Sequence, residues 1–261
     1  PIHSFAETIS LDVRTPNQLK NNLSEYEYFK KLDLDLVIVV AYGIIIPEEF
    51  LLLSKEGFVN LHASILPKLR GAAPIQRSII NQEKETGISV MKINDKLDEG
   101  DISHIFKINI NENENAQSLS ERLSLLASEK ISDIIDDVLD KNVNFKPQDH
   151  SKATYAKKIE KTEGLINWNE KAEYIIGKIN GLFPFPGGYF IYRGERYKIL
   201  KAQKCFSKEK PGKVLSNELE IGCGENSIKI LEIQREGKKP QKINEFMLGS
   251  QIVKGTNLFD V

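Results

Sequence analysis

The chain has 261 residues, 40% of them hydrophobic, with 36 Lys+Arg against 37 Asp+Glu and a net charge of −1. That size suits one large domain or two, and the composition suits a chain with a real core rather than a disordered or fibrous one. No stretch approaches the ~18–20 apolar residues of a membrane-spanning helix, so no membrane partner is expected.

Cys205 and Cys223 are the two cysteines, and they lack the short spacing of a zinc site or a disulfide framework. A reducing cytoplasm is therefore the default compartment. The chain opens on Pro1 without Met and without a charged-then-apolar leader, so a preceding N-terminal piece is expected rather than a signal peptide. Charge is uneven. Residues 1–150 hold 16 Lys+Arg against 24 Asp+Glu, or −8, and residues 151–261 hold 20 against 13, or +7. A basic second half suits a polyanion, and equally a solvated lysine surface.

Thr15-Pro16 predicts a helix start, with Thr15 at the cap and a run to about Leu32. The β-branched run 35–43 reads as a strand buried on both faces of a parallel sheet. A short helix from Pro47 follows over 46–54, then a strand over 58–62, a helix over 72–82 and a strand over 87–94. A polar loop (95–101) and a further strand (102–110) come next. A long helix then buries one stripe, Leu119, Leu123, Leu126, Ala127, Ile131, Ile134, Ile135 and Val138. The alternation predicts a Rossmann-like, doubly wound open α/β sheet. Ligands of such sheets sit at the carboxyl ends of the strands, where Tyr42-Gly43, Asn60/His62 and the 95–101 loop fall. No Gly-x-Gly-x-x-Gly fingerprint argues for a dinucleotide.

The polar segment 142–153 reads as a linker. Beyond it the texture is all-β: a hairpin over 187–203 turning at Arg193-Gly194, strands over 212–216, 219–224 and 227–234, and a terminal helix over 242–248. Five short strands predict a small OB-like β-barrel, a fold that often binds nucleic acid.

On the strand "FVNLH", Asn60 and His62 point to one side and Val59 and Leu61 to the other. An amide donates without charge, an imidazole exchanges a proton near neutral pH, and a carboxylate such as Asp98 fixes or charges that ring. The trio suits acyl-type transfer through a tetrahedral intermediate, with an amine acceptor as nucleophile. A strand histidine is more often structural, and Asp98 alone reads equally as a turn former before Gly100.

The stretch Asn60-Leu-His62, Ser64-Ile-Leu-Pro67, Arg70-Gly-Ala-Ala-Pro-Ile75 and Leu97-Asp-Glu-Gly100 resembles the signature region of the folate-dependent formyltransferases. "VVAYGIIIP" (39–47), "TYAKKIEKTEGLINW" (154–168) and "FPFPGGYF" (183–190) extend the likeness over the whole chain. The resemblance implies a catalytic domain over 1–141, a linker over 142–153 and a tRNA-binding barrel over 154–261. It also implies a further strand–helix–strand unit ahead of residue 1. The implied reaction passes the formyl group of 10-formyltetrahydrofolate to the α-amino group of methionine esterified to initiator tRNA, with Asn60, His62 and Asp98 catalytic and no metal. Ser64, Ile65, Leu66 and Pro67 are expected to line the folate site. Arg70 either orients an anionic substrate or braces its loop, and Lys157, Lys158 and Lys161 are expected to contact tRNA phosphates. A monomer is expected. A sugar-nucleotide or purine-pathway formyltransferase, or a catalytically dead tRNA-binding module, remains the alternative.

Overall fold

The computed structural model describes residues 2–259. Helix α1 (Ile2–Thr8) leads to α2 (Leu23–Lys31). Thr15-Pro16 does not open α2. Its cap is Asn22, whose side chain accepts the Glu25 N–H, because the cap must lie within reach of the first orphan donors. From there Tyr26 and Phe29 meet the ring of Phe50 at 5.6 and 5.8 Å.

Strand β1 (Val37–Val39), helix α3 (Glu48–Leu51) and strand β2 (Phe58–His62) form a parallel crossover unit. Helix α4 (Pro74–Ile80) follows, then β3 (Glu85–Lys92), β4 (Ile102–Asn109) and α5 (Ala116–Leu139). The sheet order is β1-β2-β3-β4. Only β1–β2 is parallel, whereas β2–β3 and β3–β4 are antiparallel, so the open α/β sheet is mixed rather than parallel throughout. The apolar run 35–43 yields just three strand residues, all half-buried, because β1 is an edge strand among the described residues.

Val59 and Leu61 of β2 join Ile88 and Val90 of β3 in one core, closed by Ile79 of α4 and by Leu119, Leu123 and Ile134 of α5. The α5 stripe is the one its spacing predicts. Each such side chain contributes roughly 1.5–3 kcal/mol on burial. The start of α5 is set by a capping box between Asn115 and Ser118.

The polar segment 142–153 does not hang free. Lys146 and Ile102 exchange backbone hydrogen bonds of 2.9 Å in both directions, and Gln148 is buried.

The second half begins with α6 (Ala172–Gly181), a helix that the sequence reading, which placed only a terminal helix past 153, did not expect. Its glycines lower helix propensity and so mask it. They also let it pack closely, since a Cβ on Gly181 would sit 2.8 Å from the Gln76 carbonyl of α4. Strands β5 (Gly188–Tyr192), β6 (Glu195–Cys205), β7 (Glu220–Gly222), β8 (Ser227–Arg235) and β9 (Gln241–Lys242) follow, then α7 (Ile243–Met247). The hairpin turns at Arg193-Gly194 as expected, both with positive φ. Order is β5-β6-β8-β7 with β9 beside β8, and among the described residues no pairing closes this sheet into a barrel. Residues 212–216 supply only isolated bridges, through Lys213 and Val214.

Candidate active site

The pleat of β2 sends Val59 and Leu61 into the core and leaves Asn60 and His62 on the opposite side. His62 is 6% exposed. Its Nε2 lies 3.0 Å from the Leu69 carbonyl, and its Nδ1 lies 3.7 Å from Oδ2 of Asp98. A carbonyl only accepts, so Nε2 carries the proton and donates it. Nδ1 then keeps its lone pair in the neutral ring and faces the carboxylate. Asp98 does not hydrogen-bond the ring at that distance. Its Oδ2 accepts the Gly71 N–H at 2.7 Å instead. The Asn60 amide is half-buried and has no hydrogen-bond partner among the described residues, which leaves its N–H groups open to a ligand.

Asp98 sits at φ +50°, a left-handed conformation that Asp tolerates better than most residues. Gly100 is required two residues on, because a Cβ there would lie 1.7 Å from the Lys92 carbonyl. The loop is tied to residue 148: Gln148 Nε2 donates to the carbonyls of Asp98 at 2.9 Å and of Gly100 at 2.7 Å. Gln148 Oε1 in turn accepts from Arg70 Nε at 3.2 Å and Nη2 at 2.8 Å.

Arg70 is 1% exposed. Beyond Gln148, its guanidinium reaches Glu99 at 3.0 Å and His150 Nδ1 at 3.2 Å. A buried charge persists only when paired, and this one is fully engaged. Of the two readings of Arg70, orienting an anionic substrate or bracing its loop, this burial and these internal partners fit the brace.

The stretch 64–67 divides in two. Ser64 is fully buried, its hydroxyl donating to the Lys68 carbonyl at 2.6 Å. Leu66 is 3% exposed, and its N–H donates to Ser89 Oγ at 3.0 Å. The side chains of Ser64 and Leu66 thus build the corner from inside. Ile65 and Pro67, half-buried, are the two that leave surface at the loop.

Lys157, Lys158 and Lys161 are exposed, and none has a carboxylate partner among the described residues. Their backbone is fixed by Arg77 of α4, which donates to the carbonyls of Lys157 and Lys158 and pairs with Glu163 at 2.6 Å. Arg77 holds the Glu163 carboxyl below its ordinary range. Two shallow clefts beside the second sheet, of about 380 and 460 Å³, are lined by Arg235, Lys238, Lys239 and Glu245 and by Lys208, Lys213, Lys254, Glu209 and Glu220 respectively. Sequence reasoning missed Gln148, Glu99 and Ser89. Glu99 lies inside a motif that was seen, whereas Gln148 lies in a polar segment with no pattern to mark it.

A mixed α/β sheet that ends a strand in an unpartnered amide and an imidazole facing a carboxylate, followed by a second β sheet rich in exposed lysines, is an arrangement that suits a group-transfer enzyme of two parts. Residues 5–135 match the formyl transferase family, and residues 158–251 match the formyl transferase C-terminal domain. The methionyl-tRNA formyltransferase of Pelagibacter ubique (strain HTCC1062) is 60% identical over 262 residues, covering 100% of this chain and 84% of that protein. That of Caldanaerobacter subterraneus subsp. tengcongensis is 41% identical, covering 99% and 85%. The solved structure of WlaRD, a sugar 3N-formyl transferase in the presence of dTDP and 5-N-formyl-THF, superposes with a TM-score of 0.67 at 18% identity, covering 91% of this chain and 82% of that one. This last likeness is one of fold. The chain belongs to the formyl transferase family, among the methionyl-tRNA formyltransferases.

Proposed function

We propose that this protein transfers the formyl group of 10-formyltetrahydrofolate to the α-amino group of methionyl initiator tRNA. The observation that carries the reading is the free Asn60 amide beside the His62–Asp98 pair at the end of β2, in a chain 60% identical to a methionyl-tRNA formyltransferase. An α-amino group with a pKa of ~7.7–8 is partly free base at neutral pH and can attack the formyl carbon. The formyl oxygen gains charge as the C–N bond forms, and Asn60 donates a hydrogen bond to it. His62 takes the ammonium proton at Nδ1. Asp98, opposite that atom, stabilises the imidazolium and keeps Nε2–H on the Leu69 carbonyl. The same proton then serves the departing folate nitrogen. Ile65 and Pro67 supply the apolar wall for the donor.

In this reading residues 1–141 carry the chemistry, 142–153 connect, and 154–261 hold tRNA in the cytoplasm. Lys157, Lys158 and Lys161 meet phosphates as point charges, which positions the substrate without reading its sequence. The test supplies the full-length protein with 10-formyltetrahydrofolate and aminoacylated initiator tRNA and looks for formylmethionine. Formyl transfer to an amino sugar or to glycinamide ribonucleotide, with none to tRNA, removes the assignment.

A further inference from the structure

We propose that Gln148 is a positioning residue for the reaction, holding the Asp98 loop and the loop after His62 in register from outside the sheet. The inference rests on the function proposed above for its kinetic readouts. It rests on geometry for its content.

Four bonds converge on one side-chain amide. Both hydrogens of Nε2 go to carbonyls, those of Asp98 and Gly100, and both lone pairs of Oε1 receive Arg70 Nε and Nη2. A glutamine has no further capacity. A glutamate has no donor, a lysine or arginine has no acceptor, and an asparagine carries the same amide on a stem one methylene shorter. The bonds close a ring. Gln148 holds the Asp98 carbonyl, the Asp98 carboxylate accepts the Gly71 N–H, and the neighbouring Arg70 returns to Gln148. Arg70 also reaches Glu99, the residue after Asp98. A positive φ at a non-glycine residue persists only where the surroundings over-determine it. Asp98, at φ +50°, is held here by its own carbonyl, its own carboxylate and the carbonyl two residues on.

The chain around Gln148 is anchored on both sides of the ring. Lys146 pairs with Ile102 of β4, while Thr154 and Ala156 pair with the backbone of Arg70 at 2.9 and 2.7 Å. The segment joining the two sheets is therefore a strap across both catalytic loops. Gln148 touches neither His62 nor the proposed formyl position, so it acts through Asp98.

Gln148→Glu tests this. It keeps an acceptor for Arg70 but sets an oxygen against two carbonyls. The variant is expected to lose about tenfold to a hundredfold in kcat, with KM for both substrates within about threefold. In an Asp98→Asn background the same change should cost less than about twofold, because the group it positions is already gone. Hydrogen exchange should speed up at the 98–101 amides and stay unchanged in β2 and β8. Wild-type turnover in Gln148→Glu, or losses that multiply in the double variant, would overturn the proposal. Gln148→Met, which removes the polar bonds with little change in volume, should give the same pattern if the charged variant folds poorly. Should the unaltered protein show no formyl transfer at all, the functional reading fails by itself. Exchange at 98–101 then decides: unchanged protection in both variants refutes the positioning role.

Discussion

Around the first sheet and its loops lie eight buried polar or charged side chains, among them His62, Arg70, Ser89 and Gln148; in the second half Ser227 is the one counterpart. The second half instead buries a dense apolar set, with Ile175, Ile199, Ile228, Ile230 and Ile233 almost fully enclosed and Phe190 and Trp168 beside them, and, among the described residues, one unpartnered carboxylate oxygen, of Glu173. An unpaired buried polar group costs about 1–3 kcal/mol, so a fold accumulates such groups only where each finds a partner. Around the first sheet all but the Thr86 hydroxyl do, and the result is two loops tied together at the end of β2. The second half keeps most of its ionic groups at the surface, where Lys171 and Glu225 pair at 2.7 Å. Several lysines there, Lys157 and Lys158 among them, have no carboxylate partner among the described residues, whereas the Lys178–Glu170 pair at 3.2 Å is partly buried. One half gathers buried polar atoms around the end of a strand, and the other is an apolar block with a charged skin.

That contrast can be broken from either side. The largest effect belongs to the block: Phe190→Ala removes a ring stacked on Tyr197 at 5.3 Å and is expected to cost ~3–5 kcal/mol in urea unfolding while kcat at low temperature stays near normal. A comparable loss of stability from His62→Ala would erase the distinction. Next come the chemical groups. Asn60→Ala and His62→Ala should each lower kcat by about 10²–10³, or roughly 2.7–4 kcal/mol of barrier, with tRNA affinity within about twofold by filter binding. A near-normal rate in either variant contradicts the assigned role.

A smaller effect is expected from the skin. Replacing Lys157 and Lys158 together by Ala should flatten the log–log salt dependence of tRNA binding by roughly 1.5–2, two phosphate contacts' worth, with kcat at saturating tRNA unchanged. An unaltered slope would put the phosphates elsewhere on the surface. Smallest is a pH effect inside the block. Burial pushes the Cys223 thiol up to about 12. An unfolded thiol ionises near ~8.5, so above that pH the unfolded chain sheds a proton that the folded one keeps. Cys223 therefore adds no slope below about pH 8, and stability falls as pH rises from there toward 12. Unfolding measured across that window should be less steep in Cys223→Ala than in the unaltered chain. Equal slopes would mean that the thiol reaches water.

Much of this was legible in advance, for identifiable reasons. β2 was read to the residue because a five-residue alternation leaves one choice of faces. The α5 stripe was legible because eight apolar positions share one period. The cap at Asn22 was misjudged because Thr15-Pro16 carries the stronger local signal, while the aromatic contacts on Phe50 that locate α2 are distant in sequence. The mixed pairing of the first sheet was not legible. Strand direction depends on how the chain returns, and the loop 95–101 folds back as a hairpin rather than crossing over.

From the residues themselves came the two-part organisation, the shared face of Asn60 and His62 and the uneven charge, because each is a matter of local period or of counting. What only the tertiary structure decided is which polar groups are free and which are spent. Arg70 and Ser64 look available in the sequence and are consumed by carbonyls and carboxylates, some of them nearly 80 residues away. Gln148 looks like linker and spends both its amide hydrogens on the carbonyls of Asp98 and Gly100. Hydrogen-bond saturation is a property of three-dimensional neighbours, and no spacing along a chain encodes it.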